Sequence, residues 1–342
     1  MSINILFFDY RDTEDEFFKN TDLSNFNIKF FKHSLNEQTV DAVSEEDKDN
    51  AMVISVFINS EITEEVINKF KNLRIISARS TGYDNINSAA CIKRNIALIN
   101  VMNYGASSVA QYTFGLIIAL VRNIVLSSCC MKGFYQIHNG FTGRDLSGLT
   151  IGVIGTGAIG GAVCKSARTF GMNILAYDLN IKHELADKYD VQYVSLENLL
   201  QNSDIVTLHT PYTGENKNFI SYKQFDIMKQ CPWIINTSRG EIIDIHALKD
   251  ALDNKKIKGA ALDVLNCESY GMNCNLLKNS LDNVRFECVE EVQTVQEIIK
   301  YPNVIITPHI AYETQDAINY ILQKTFDGII DTIKGGTEFR IV

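Results

Sequence analysis

The sequence predicts an α/β protein of two doubly wound parallel-sheet domains, one inserted into the other. Three observations carry this. Short apolar runs alternate with helix-like segments along the 342 residues, the pattern of parallel strands joined by helical crossovers. The run Gly155-Thr156-Gly157-Ala158-Ile159-Gly160 follows the strand-like Thr150-Ile151-Gly152-Val153-Ile154 and precedes Asp178. Nearly half of the chain stands before that run, enough for a separate α/β unit.

In the first part, strand-like runs at Ile3 to Phe8, Ile28 to Phe31, Met52 to Phe57, Arg74 to Ala78 and Ala97 to Asn100 alternate with helical segments. One of these opens at Thr63, an N-cap followed by two carboxylates that complement the helix dipole. Ala106 to Leu126 reads as one long helix, apolar around much of its circumference and therefore buried against something. A second series places strands at Thr150 to Ile154, Asn173 to Tyr177, Asp204 to Leu208, Trp233 to Asn236 and Gly259 to Leu262, with helices at Ala158 to Phe170 and Asp244 to Asn254. After Val304 to Thr307 comes an amphipathic stretch, Tyr312 to Ile333, with no strand partner left in the second series, so it returns to the first. The expected division is 1–101 for the first part of an outer domain, 102–303 for the inserted domain and 304–342 for the return, with crossings that flank a cleft.

The glycine run has a physical purpose. A strand, a tight glycine turn that lets the backbone approach a pyrophosphate, a helix N-terminus facing the anion and a carboxylate about 20 residues on for the ribose hydroxyls make a dinucleotide site. All four parts occur in order, which makes the inserted domain a Rossmann unit and the outer one flavodoxin-like. Asp178 would repel a 2′-phosphate, so NAD is expected over NADP.

A net charge of −9 without a basic cluster argues against nucleic acid or an anionic membrane as partner. The apolar stretch Phe114 to Val121 is too short to span a bilayer, and the N-terminus lacks the features of a secretory signal. A cytoplasmic protein acting on a small molecule is expected. The eight cysteines have no C-x-x-C pair, so neither a metal site nor a disulfide framework is indicated, and buried thiols in a reducing compartment are expected.

Three segments at strand ends carry candidate chemistry. Asn236-Thr237-Ser238-Arg239-Gly240 offers a guanidinium suited to a carboxylate. Leu262-Asp263-Val264-Leu265-Asn266-Cys267-Glu268 offers two carboxylates, and Thr307-Pro308-His309 a histidine whose direction the proline helps to fix. Singly, each is as well explained by a surface ion pair, a solvated acid or a structural histidine. Together, Arg239, Glu268 and His309 make an anion clamp, an orienting acid and a proton donor.

With these segments in place the chain resembles, over essentially its whole length, the D-isomer-specific 2-hydroxyacid dehydrogenases. Ser80-Thr81-Gly82-Tyr83-Asp84, Val101-Met102-Asn103-Tyr104 and Asp204 to His209 bring it nearest to the D-lactate dehydrogenases, fermentative or of vancomycin-resistance type. The resemblance implies that Thr81, Gly82, Tyr104, Arg239 and Tyr312 bind the substrate. It further implies that Gly155, Gly157, Ala158, Ile159, Gly160, Asp178, Thr210, Pro211, Asn216, Thr237, Ser238, Arg239 and Asp263 bind NAD, and that the region after Ala106 forms a homodimer. The chain departs from the family at Tyr104-Gly105-Ala106 and Gln111-Tyr112, where Tyr-Ser-Pro and Glu-His are common. Two other readings are an NAD-sensing corepressor-like protein, disfavoured because such proteins carry an extended tail, and a dehydrogenase for a larger 2-hydroxy acid.

Overall fold

The computed structural model of the chain describes residues 2–102, 105–136, 140–268 and 284–342. Tyr104 and most of the segment between Glu268 and Cys288 lie outside the described residues. The chain divides into two compact units, 1–104 with 313–342, and 105–312.

The first unit holds a five-stranded parallel sheet of β1 (Ile3–Phe7), β2 (Phe26–Phe30), β3 (Val53–Val56), β4 (Ile75–Ala78) and β5 (Ala97–Asn100), in the order β2-β1-β3-β4-β5. This is the flavodoxin-like order. Strand periodicity sends Leu6 and Phe8 to one face with Ile54, Val56 and Ile76, and Ile5 and Phe7 to the other with Val53 and Ile75. Burial on both faces explains why these strands read as continuous apolar runs. The second face is closed by the helix Gln315–Ile333, capped by the Thr314 hydroxyl on the Ala317 N–H, which buries Ile318, Leu322, Phe326 and Ile329 at helical spacing. Each such side chain stabilises by about 1.5–3 kcal/mol.

The second unit holds β6 (Thr150–Ile154), β7 (Asn173–Tyr177), β8 (Val191–Tyr193), β9 (Ile205–Leu208), β10 (Trp233–Asn236), β11 (Gly259–Leu262) and β12 (Val304–Ile306) in a parallel sheet. Its order, β12-β11-β10-β9-β6-β7-β8, is the Rossmann arrangement, reversing between β6 and β9. Helices Ala106–Val121 and Ala158–Thr169 cover one face through Phe114, Ile117, Val163 and Ala167, and Ile245–Asp253 and Val289–Ile298 cover the other through Leu248, Val295 and Ile298.

Two expectations are corrected. The return to the first unit begins at Glu313 and not at Val304, because Val304–Ile306 pairs with β11 as the seventh strand. The helix expected to run unbroken from Ala106 to Leu126 is two, Ala106–Val121 and Ile124–Met131, bent by 61°. Asn123 breaks it by taking the left-handed conformation, φ 54°, which asparagine tolerates better than most residues. Among the described residues, no single helix is long and apolar enough to cross a membrane.

Candidate active site

The nucleotide end is built from close approaches. β6 ends in Gly155 at φ 87°, where a Cβ would come within 2.7 Å of the His209 carbonyl oxygen, and a Cβ on Gly160 would lie 1.9 Å from the Gly155 oxygen. Neither position accepts a side chain without moving backbone. Gly157 differs: its Cβ direction meets nothing within 4 Å, and it caps the helix opened by Ala158 and Ile159, whose first turn holds no acidic residue. Open space before an unblocked helix N-terminus fits a pyrophosphate.

Asp178, just past β7, accepts from the Thr156 N–H at 2.6 Å, the Thr156 hydroxyl at 2.8 Å and the Asn180 N–H at 2.8 Å. Burial alone would raise its pKa, but the Asn180 and Thr156 donors outweigh it and hold the carboxyl below its ordinary range. The carboxylate therefore keeps its charge at neutral pH. Across the switch point, Thr210 and Pro211 form a turn whose carbonyls accept from the Ser238 hydroxyl and, at 2.8 Å, the Asn216 amide. These glycines, Asp178 and this turn fit NAD. The Thr237 hydroxyl is instead 3.0 Å from that of Thr113 in a buried contact.

Three loops at the C-terminal strand ends form the reactive end. Arg239 follows β10, with its guanidinium donating to the Ser238 carbonyl at 2.9 Å. Gly240 beside it admits the next loop, since a Cβ there would lie 2.0 Å from the Leu265 carbonyl carbon. That loop, after β11, carries Glu268, which accepts the Leu265 N–H on one oxygen at 3.1 Å and meets His309 Nδ1 with the other at 2.8 Å. The ring of Tyr312 stands edge-on to the imidazole with centroids 6.4 Å apart, and Tyr312 is buried.

His309 sits at φ 54°, left-handed backbone that a non-glycine residue keeps only when its surroundings over-determine it. The surroundings here are Asp263. Fully buried, its carboxylate accepts the Thr307 hydroxyl at 2.5 Å, the Ile310 N–H at 3.1 Å and the Ala311 N–H at 2.8 Å. Burial raises its pKa, and the same three donors oppose the shift. Asp263, expected beside the cofactor, also holds the turn that carries the imidazole; its position after a strand gave no sign of this hold.

Thr81 and Gly82 lie in the first unit, in the loop after β4, where the Thr81 hydroxyl donates to the Val101 carbonyl and Ser80 to that of Gly82. Tyr104 lies outside the described residues. The expectation of unpaired thiols holds for Cys91 and Cys164, both buried, and is corrected at Cys267 and Cys288, which form a disulfide. Their Cα atoms lie 5.9 Å apart, although a separation of 21 positions carries no sequence signal.

Comparison with known proteins agrees with this geometry. Residues 114–311 match the family described as D-isomer specific 2-hydroxyacid dehydrogenase, NAD binding domain. A D-specific alpha-keto acid dehydrogenase of Enterococcus faecium is 38% identical over 281 residues, covering 81% of this chain and 82% of its own. The structure of D-lactate dehydrogenase from Aquifex aeolicus, complexed with NAD and lactic acid, superposes with a TM-score of 0.85 at 32% identity over 99% of both chains. That of a D-2-hydroxyisocaproate dehydrogenase gives 0.81 at 27% identity, again over 99% of both. The chain belongs to the D-isomer-specific 2-hydroxyacid dehydrogenases, NAD-dependent oxidoreductases of D-2-hydroxy acids.

Proposed function

We propose that this chain is a D-lactate dehydrogenase that reduces pyruvate, or a 2-keto acid of similar size, to the D-2-hydroxy acid. The observation that carries the reading is the His309–Glu268 contact of 2.8 Å on a braced turn. It is supported by the likeness to the Aquifex aeolicus enzyme over 99% of both chains. The glycine turn and Asp178 would hold NADH, which would supply the hydride for reduction of the keto acid. Arg239 holds the substrate carboxylate and polarises the carbonyl. Nδ1 of His309 is committed to Glu268, so Nε2 delivers the proton to the carbonyl oxygen as it becomes a hydroxyl. Glu268 fixes the direction of the ring. The family resemblance also assigns substrate contacts to Thr81, Gly82, Tyr104 and Tyr312.

Initial rates of NADH oxidation against a panel of 2-keto acids, with product chirality determined, test this reading. The expected result is the highest kcat/KM for pyruvate and a D product; a preference for a branched keto acid assigns the bulkier substrate, and an L product removes the reading altogether. A homodimer in the cytoplasm completes the proposal. Its face is the helix Ile124–Met131, which buries none of its residues and exposes Ile124, Val125 and Met131. Light scattering that shows a monomer at micromolar concentration overturns the dimer.

A further inference from the structure

We propose that Cys267 and Cys288 are a reversible thiol–disulfide pair that sets how firmly Glu268 is held on His309. The inference rests on the roles given above to those two residues. Cys267 is joined by one peptide bond to Glu268 and has a left-handed backbone, φ 56°. Its sulfur is bonded to that of Cys288, a buried residue at the head of the helix Val289–Ile298. Val292, Val295 and Ile298 fix that helix in the core of the second unit. The bridge therefore ties the residue before the orienting acid to an element that does not move with the loop. Without it, the remaining described hold on the Glu268 carboxylate, apart from His309 itself, is the Leu265 N–H of the same loop.

Two of the free cysteines, Cys91 and Cys164, separate from this pair. Burial pushes the Cys91 thiol up to about 11 and the Cys164 thiol up to about 12, which makes them inert as nucleophiles. Cys267 is partly exposed and open to exchange. A small thiolate attacks the Cys267 sulfur, the S–S bond breaks, and Cys288 leaves as a thiolate that takes a proton. A second small thiol then displaces Cys267 from the mixed disulfide. The sum is one protein disulfide and two small thiols giving two protein thiols and one small disulfide, and the small disulfide is the oxidant for the return. In a reducing compartment a disulfide that forms is a transient or sensing one.

Opening the bridge lets Cys267 leave its left-handed conformation and loosens Glu268. The ionisable groups that face His309 among the described residues of its unit are Glu268, Asp263 and Tyr312. Asp263 and Tyr312 are held independently of the bridge, so the redox state acts on the imidazole through Glu268.

The test poises the whole wild-type enzyme in buffers of mixed oxidised and reduced dithiothreitol. A chelator is included, because the Cys267 and Cys288 sulfurs and the Glu291 carboxylate lie within 4.8 Å of one another and the dithiol form could collect a metal ion. Alkylation and peptide mass mapping follow the two cysteines; kcat/KM and its pH profile follow the function. The expected result is one two-electron transition at Cys267 and Cys288. Across it, reduction lowers kcat/KM for the keto acid by about three- to tenfold at pH 8 and alters its pH profile, with KM for NADH unchanged. Cys288→Ser, and Cys267→Ser as a second variant, stay at the reduced level in every buffer. Absence of the disulfide in all buffers overturns the inference, as does a transition that leaves rate and pH profile unaltered. Glu268→Gln separates the two levels: if it is as active as wild type, the reading of the site fails, and if it is impaired while wild type ignores redox state, only this inference fails.

Discussion

Replacing Asp263 with asparagine separates a residue that braces the catalytic turn from one that touches the cofactor. The carboxylate accepts three hydrogen bonds from donors that straddle His309, the Thr307 hydroxyl, the Ile310 N–H and the Ala311 N–H. Asparagine keeps one acceptor oxygen. If that oxygen serves Thr307 and Ile310, the new NH₂ group points at the Ala311 N–H, and a buried donor loses its partner. A hydrogen bond to a charged acceptor contributes about 1.5–3 kcal/mol, and leaving the donor buried and unpaired makes the loss felt in full, so a destabilisation of about 2–3 kcal/mol is expected. The strained φ at His309 relaxes with it, and kcat falls as the imidazole loses its direction. Urea unfolding and steady-state kinetics on the same preparations decide the matter. The bracing role predicts lower stability and lower kcat with KM for NADH little changed. A raised KM for NADH with stability within about 0.5 kcal/mol of wild type would refute it and return Asp263 to the nicotinamide.

His309→Gln is expected to lower kcat for keto-acid reduction by about 10² to 10⁴, and a loss of less than about tenfold would remove histidine as the proton donor. Asp178 stays ionised, so a fluorescence titration should show much tighter binding of NADH than of NADPH; comparable affinities would sink its role in selecting the cofactor. His209, whose Nδ1 has no partner among the described residues and whose Nε2 faces the Thr207 hydroxyl at 2.8 Å, lies behind the Gly155 turn, and burial pushes its pKa down to about 3. Its folded pKa is depressed, so the stability it contributes is complete above the unfolded value of about 6.5 and is lost as pH falls toward 3, by at most about 1.4 kcal/mol per pH unit. His209→Gln should flatten the acid side of the urea-midpoint profile between pH 6.5 and 4, and an unchanged slope would contradict this.

What could be read before folding follows from where a residue's partners lie. The strands were legible because alternation and flanking turns are local, and β8 was missed because Val191–Tyr193 is a three-residue edge strand with too few positions to show a period. The glycine turn was legible because the φ of 87° at Gly155 and the approach of Gly160 to the Gly155 oxygen are demands within a few residues, whereas the approach of Gly155 to His209 is not. The break at Asn123 was not, since an asparagine within an apolar run reads as one polar position until its φ is known. At the reactive end the same rule divides the residues. Arg239, Glu268 and His309 could be named because each ends a strand, yet what aims the imidazole comes from 41 and 46 positions away in sequence, Glu268 on Nδ1 and Asp263 on the turn.

The two acids of the loop after β11 were readable as a pair but not as to role, and burial assigns the roles. Asp263 is enclosed, and a carboxyl in a protein interior is tolerated when it is hydrogen-bonded, a need that three donors of the His309 turn meet. Glu268 retains some exposure, and one of its oxygens already has the Leu265 N–H, so the other is left for an imidazole that gains and loses a proton. Partial exposure screens the charge that Glu268 presents to the imidazole, while burial keeps water from competing with Asp263 for the N–H groups of the His309 turn. One loop thus divides rigidity and proton chemistry between two carboxylates five residues apart, and the Cys267 bridge falls on the side of the acid that must stay responsive.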